Sequence, residues 1–145
     1  MTETVWETKS AAETEAIARE LAREAKPGEV YALDGDLGTG KTVFARGFAR
    51  GLGIEKTVAS PTFTIVREYR EGRLPLFHLD VYRLENEDEL YDIGWDEYLS
   101  GGGVCLVEWA CRVPEAMPED TKYITIEKNP AKGEDYRLVC LKLKE

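Results

Sequence analysis

Cysteine is scarce, and the three that occur, Cys105, Cys111 and Cys140, stand at spacings that match neither a zinc site nor a disulfide framework. An odd count suits a reducing compartment, where such thiols are expected to be buried as small apolar side chains. Long apolar runs are missing as well. Nothing approaches the roughly eighteen uninterrupted apolar residues of a membrane span, and the N-terminal stretch has no apolar h-region, so the expected location is the cytoplasm. Bases are outnumbered, 19 Lys and Arg against 28 Asp and Glu, for a formal net charge of −9. Such a surface repels a phosphate backbone over most of its extent, which argues against unaided binding of DNA or RNA. Linker-like Pro, Gly or Ser stretches, internal repeats and low-complexity segments do not occur, and residues 1–145 read as a single domain with its own core.

What is present is a globular balance of 43% hydrophobic and 32% charged residues. Val5 and Trp6 fit a brief strand leading into a helix, and Ser10 with Glu13 three residues on forms a capping box that starts it. Thr14, Ala18, Leu21 and Ala25 then fall on one helical stripe until "KPGE" ends it. "EVYALD" reads as a short buried strand. A second helix over "KTVFARGFARGLG" sets Val43, Phe44, Phe48 and Leu52 near one face and Arg46 and Arg50 on another, with Gly53 as its stop. "TIVREYREGRLPLFHLD" predicts two strands turning at Glu71 and Gly72. The acidic segment 85–97 predicts a solvated helix in two pieces broken at Gly94. "GVCLVE" predicts a further buried strand, and "KYITIEK" and "YRLVCLKLK" alternate as a terminal antiparallel pair. Together these predict an α/β fold, a mixed, mostly parallel sheet with helices on both faces and an antiparallel C-terminal strand pair; with the glycine-rich loop read next, the expectation is a three-layer P-loop NTPase fold.

The chemistry is concentrated in "DGDLGTGKT". Gly35, four residues, then Gly40, Lys41 and Thr42 match the P-loop spacing, placed between a buried strand and a helix as that loop requires. Glycines allow positive backbone angles and let successive N–H groups curl around phosphate oxygens with no Cβ in the way. The expected nucleotide-binding run is Gly35, Asp36, Leu37, Gly38, Thr39, Gly40, Lys41, Thr42 and Val43. Asp36 is expected to turn its carboxylate to solvent. Lys41 reaches the β and γ phosphates, and the Thr42 hydroxyl serves a magnesium ion, with the positive end of the helix behind them.

Magnesium needs a further carboxylate at the end of a neighbouring strand, and two acids qualify. Asp80 closes "LPLFHLD" and Glu108 closes "VCLVE". Asp80 is assigned to the metal, through water, and Glu108 to orienting the attacking water, though the two could exchange roles. Glu108 is thus a candidate for catalysis, with Lys41, and for the metal, with Thr42 and Asp80. Ser60, Thr62 and Thr64 in "ASPTFT" supply hydroxyls to a loop that could close over the γ-phosphate, with Thr62 as its nucleotide contact. Trp109 either covers the nucleotide or fills the core. His78 shares a strand face with Asp80 and is read as a satisfied core histidine. Arg67, Arg70, Arg73 and Arg83 are candidates to neutralise transition-state charge.

"GDLGTGKT", "SPTFT", "HLDVYR" and "LVEWA", in this order and in so short a chain, resemble the TsaE (YjeE-like) family of bacterial tRNA threonylcarbamoyladenosine biosynthesis proteins. The resemblance runs from the first helix to Trp109. It implies a small ATPase, weak alone, that binds ATP or ADP with Mg2+. It also implies action on the TsaB–TsaD complex, which modifies adenosine 37 of tRNAs reading ANN codons, so that tRNA is met only indirectly. By that resemblance the loop residues are Lys41 and Thr42, the magnesium acid is Asp80, and the Glu–Trp pair is Glu108 and Trp109. Thr39 departs from the alanine common there and contributes backbone. Two rival readings are a small-molecule P-loop kinase, for which no arginine-rich lid is evident, and a nonenzymatic nucleotide-gated binding module. A guanine-specific switch lacks its Asn-Lys-x-Asp segment.

Overall fold

The computed structural model describes residues 2–35, 40–58 and 65–143. Its elements in chain order are β1 (Thr2–Thr8), α1 (Ala11–Arg23), β2 (Val30–Asp34), α2 (Lys41–Gly51), β3 (Val66–Tyr69), β4 (Leu76–Asp80), α3 (Glu87–Asp92), α4 (Trp95–Leu99), β5 (Val104–Glu108), β6 (Lys122–Lys128) and β7 (Arg137–Leu143). The strands form one sheet in the order β1-β7-β6-β2-β5-β4-β3. β6, β2, β5 and β4 run parallel side by side. β3 is antiparallel on one edge, and β7 is antiparallel between β6 and β1 on the other.

Alternation along the central strands assigns side chains to two cores. Tyr31 and Leu33 of β2 and Leu106 of β5 face α1 and α2, where they meet Ala18, Ala22, Phe44, Phe48 and Leu52. Val30, Ala32, Cys105 and Val107 face the opposite layer, with Phe77, Leu90 and Trp95. Trp95 is fully buried because its indole N–H finds the Ala116 carbonyl at 3.0 Å. Buried on both faces, β2, β4 and β5 are nearly continuous apolar runs, as parallel strands covered on two sides must be. Among the described residues no helix is long and apolar enough to cross a membrane.

The helix starts follow the local sequence. Ser10 caps α1 by accepting from the Glu13 N–H at 3.1 Å, while Glu13 reaches back to the Lys9 N–H at 2.6 Å, one residue earlier than in the usual reciprocal box. Asn86 caps α3 in the same manner, and Gly94 takes φ 100° to separate α3 from α4. Along α1 the buried stripe is Thr14, Ala18, Ala22 and Ala25, and Leu21 is only partly covered, contrary to the expected Thr14, Ala18, Leu21, Ala25. The reason lies in α2. Gly47 and Gly51 bring its backbone so near α1 that a Cβ on Gly51 would stand 2.6 Å from the Ala22 Cβ, and only small side chains fit the seam.

The expectation of three buried thiols holds for Cys105 alone. Cys111 is exposed and Cys140 half-buried. Cys111 sits in the turn after β5, where its N–H is drawn to the Asp34 carboxylate at 3.3 Å and its side chain is left at the surface. β1 is longer than the sequence suggests because it pairs with β7 along its whole length.

Candidate functional site

β2, β4 and β5 end together, and each ends in an acid: Asp34, Asp80 and Glu108. The parallel register sets Leu33 beside Glu108 and Glu108 beside Asp80, so consecutive carboxylates arrive at one sheet edge. Backbone bonds fix that edge. The Trp109 N–H donates to the Leu33 carbonyl at 3.1 Å, and the Val81 N–H to the Glu108 carbonyl at 3.2 Å. Asp80 accepts from the Tyr82 N–H at 3.0 Å, and its own N–H donates to the Ile65 carbonyl at 2.7 Å. Ile65 and Trp109 both hold φ 63°. For residues with a Cβ that left-handed angle costs about 1–3 kcal/mol each, and it is found here beside the strand ends that carry the acids.

α2 begins opposite this edge and begins differently from its neighbour. Its N-cap, Gly40, takes φ 101°, no side chain caps the first turn, and no acid stands there. The N–H groups of that turn, together with the helix dipole, form a positive pole that no side chain caps among the described residues. A Cβ built on Gly40 would meet nothing within 4 Å, so the backbone borders open space.

Lys41, the first residue of α2, is 8% exposed, yet its Nζ has no hydrogen-bond partner. The ammonium lies 3.6 Å from the centre of the Trp109 ring. Burial lowers its pKa, and the nearby Glu108, Asp80 and Asp34 charges counter part of that fall. Asp80 is shifted the other way: burial raises its pKa, the Tyr82 N–H opposes, and the Glu108 charge adds to the rise. A buried ammonium without a hydrogen bond among the described residues and a carboxylate whose pKa is raised by burial mark this sheet edge as a candidate functional site.

His78 differs from its sequence reading. It is buried, but its Nε2 lies 2.6 Å from Glu108 Oε2 and its Nδ1 has no partner, so it is joined to the site instead of being satisfied in the core. The turn at 109–112 extends the site outward. Tyr82, half exposed, packs on Trp109 with centroids 4.8 Å apart, and the Arg112 guanidinium lies 5.4 Å from the Tyr82 ring.

The structure therefore brings Gly35, Gly40, Lys41, Thr42, Val43, Asp80, Glu108 and Trp109 to the same end of the sheet, with Thr42 exposed and Val43 half-buried. Asp36, Leu37, Gly38 and Thr39 lie outside the described residues, as do Ser60, Thr62 and Thr64. Of the candidate arginines, Arg73 serves elsewhere: it donates to the Ala22, Arg23 and Ala25 carbonyls, closing the end of α1. Arg70 pairs with Glu68 at 2.7 Å. Among the described residues no group of three or more His, Cys, Asp or Glu is disposed to hold a metal. Asp80, Glu108 and the Thr42 hydroxyl are hard oxygen donors, suited to a magnesium ion that takes its remaining ligands from phosphate and water.

Two features escaped the sequence reading. Asp34 is a third strand-end acid, announced by the same apolar-run-then-acid pattern as Asp80 and Glu108. A cleft at the side of α2 is lined by Ser10, Ala11, Thr14, Gly40, Val43, Asp135 and Arg137. Asp135 and Arg137 carry no local motif, and the placing of β7 between β6 and β1 brings them there.

This geometry agrees with what the chain resembles. Residues 8–137 match the family described as threonylcarbamoyl adenosine biosynthesis protein TsaE. The tRNA threonylcarbamoyladenosine biosynthesis protein TsaE of Bacillus subtilis is 50% identical over 147 aligned positions, covering 95% of this chain and 92% of the relative. Its counterpart in Treponema pallidum is 43% identical, covering 81% of this chain and 87% of the relative. The crystal structure of B. subtilis YdiB superposes with a TM-score of 0.85 at 44% identity, covering 99% of this chain and 87% of that one. A family match over most of the chain, a relative sharing half of its residues and a common fold lead to one statement: the chain belongs to the TsaE family.

Proposed function

We propose that this chain binds Mg-ATP at the start of α2 and hydrolyses it in support of tRNA threonylcarbamoyladenosine formation, acting on the TsaB–TsaD pair and meeting tRNA only through it. One observation carries the nucleotide reading: the buried Lys41 ammonium, with no hydrogen bond among the described residues, at an uncapped helix start near the Asp80 and Glu108 strand ends. Buried cations are paired, and a triphosphate tail supplies what Lys41 lacks.

The residues divide the work. Lys41 Nζ leaves the Trp109 face to bond the β and γ phosphate oxygens, and the first N–H groups of α2 bond the phosphates behind it. Asp80 and the Thr42 hydroxyl would hold a magnesium ion, which would spread the charge building on the phosphates. Glu108 takes a proton from water as the water oxygen bonds to the γ-phosphorus and the bond to the bridging oxygen breaks, releasing ADP. The small cleft lined by Ser10, Val43 and Arg137 adjoins Gly40 and marks the side towards which the nucleoside end would extend. The net charge of −9 supports reaching tRNA through a protein partner rather than by direct grip.

The test is phosphate release from Mg-ATP, alone and with TsaB–TsaD and tRNA, for the wild type and Glu108→Gln. The expected result is slow release alone, faster release with the partners, and loss of release in Glu108→Gln with nucleotide binding retained. Transfer of labelled phosphate to a metabolite rather than to water would instead establish the kinase reading.

A further inference from the structure

The one histidine of the chain is placed with unusual economy. His78 is 1% exposed and lies on β4 two residues before Asp80, beside Leu106 in the register. From there its ring reaches diagonally to Glu108 and makes the shortest contact in the site, 2.6 Å between Nε2 and Oε2. Nothing else in the described structure touches its polar atoms, since Nδ1 is buried without a partner. A carboxylate only accepts, so Nε2 carries the hydrogen, and Nδ1 is left with a bare lone pair. The opposite tautomer would bury an unmade N–H donor, the rarer and costlier defect.

Resting on the reading of Glu108 given above, we propose that His78 is the positioning residue for this acid. Its Nε2–H holds Oε2 and thereby turns Oε1 towards the attacking water. Glu108 ends its strand, and the next residue already has a left-handed backbone, so the strand alone does not fix the side-chain torsions. A single bond from a buried, rigid ring fixes them, with no water needed. The attachment is also directional. His78 occupies Oε2 alone, which leaves Oε1 to a site where the Lys41 and Asp80 charges act on Glu108.

The wild-type full chain, labelled with 15N-histidine, gives a self-assigned spectrum because there is one imidazole. A protonated Nε2 with a bare Nδ1 is expected, and the Nδ1–H tautomer would overturn the proposal whatever the activities of the variants. In single-turnover hydrolysis of Mg-ATP, His78→Phe keeps the ring and removes the donor. It should slow hydrolysis by about 10–100-fold, the usual cost of losing a partner in the outer shell, while ATP affinity by calorimetry stays within about twofold. His78→Gln, whose amide reaches the position of Nε2, should recover most of the rate. Unchanged hydrolysis in folded His78→Phe, or equal losses of affinity and rate, overturns the proposal. If Glu108→Gln is slow and His78→Phe is not, this inference alone falls. If Glu108→Gln hydrolyses at the wild-type rate, the reading of Glu108 falls and takes this inference with it.

Discussion

α1 and α2 lie side by side against the same face of the sheet, and they start in opposite ways. α1 spends Ser10 and Glu13 on its own first turn and leaves little for an outside group to satisfy. α2 starts at a left-handed glycine with no side-chain cap, no acid in its first turn and a buried lysine that makes no hydrogen bond among the described residues. The first arrangement maximises stability and the second forgoes it. Within one layer, a helix start completed from inside marks scaffold, and the one left uncapped is where the proposed nucleotide would complete the structure.

The sharpest way to break this contrast is to remove the lysine. Lys41→Ala is expected to cut nucleotide affinity by about 100-fold or more, since a charge-assisted bond in a buried site is worth roughly 1.5–3 kcal/mol and Lys41 reaches two phosphates. Isothermal calorimetry checks it, and unchanged affinity would refute the site. The next test concerns what the two helices share. Gly51→Ala drives a Cβ into the Arg19 carbonyl oxygen and Ala22, and an overpacked seam of this kind should cost about 1–3 kcal/mol. That corresponds to a fall in Tm of very roughly 3–10 °C, readable by calorimetric melting.

Ser10→Ala probes the completed helix start. Loss of its cap should cost about 1 kcal/mol of stability, measured by urea unfolding. Asp80→Asn probes the incomplete side and should give the smallest change, of opposite sign. The folded-state pKa of Asp80 is raised, chiefly by burial, so the folded protein prefers this carboxyl protonated. Its contribution to stability is fully present below the ordinary carboxylate pKa and is lost as pH rises through the raised value. Asp80→Asn is therefore expected to raise Tm slightly at neutral pH without nucleotide. The gain should vanish in acid, and magnesium-dependent hydrolysis should fall.

What could be read from the chain itself follows the same divide. The glycine start of α2, the strand ends at Asp80 and Glu108 and the Ser10 cap are local patterns, in which neighbours in sequence act together, and these are legible; Asp34 shows the same strand-end pattern and was passed over. The β3–β4 turn and the break at Gly94 were visible for the same reason. Contacts set by distant pairing were not. The placing of β7 between β6 and β1 brings Asp135 and Arg137 beside α2, and no short motif announces it. The small residue at Ala22 answers glycines on another helix, so helical periodicity alone chose Leu21. His78 looked like core filling because a lone histidine in an apolar strand says nothing of the acid beside it, which arrives from β5.

The glycines of α2 bear on how the molecule moves. At Gly47 and Gly51 main chain rests on main chain, against Glu15 and Arg19, with no compressible side chain between. The second helix is thus braced from behind like a post against a wall. Under the proposed function, an anion arriving at its front end would meet a helix with little room to tilt toward α1.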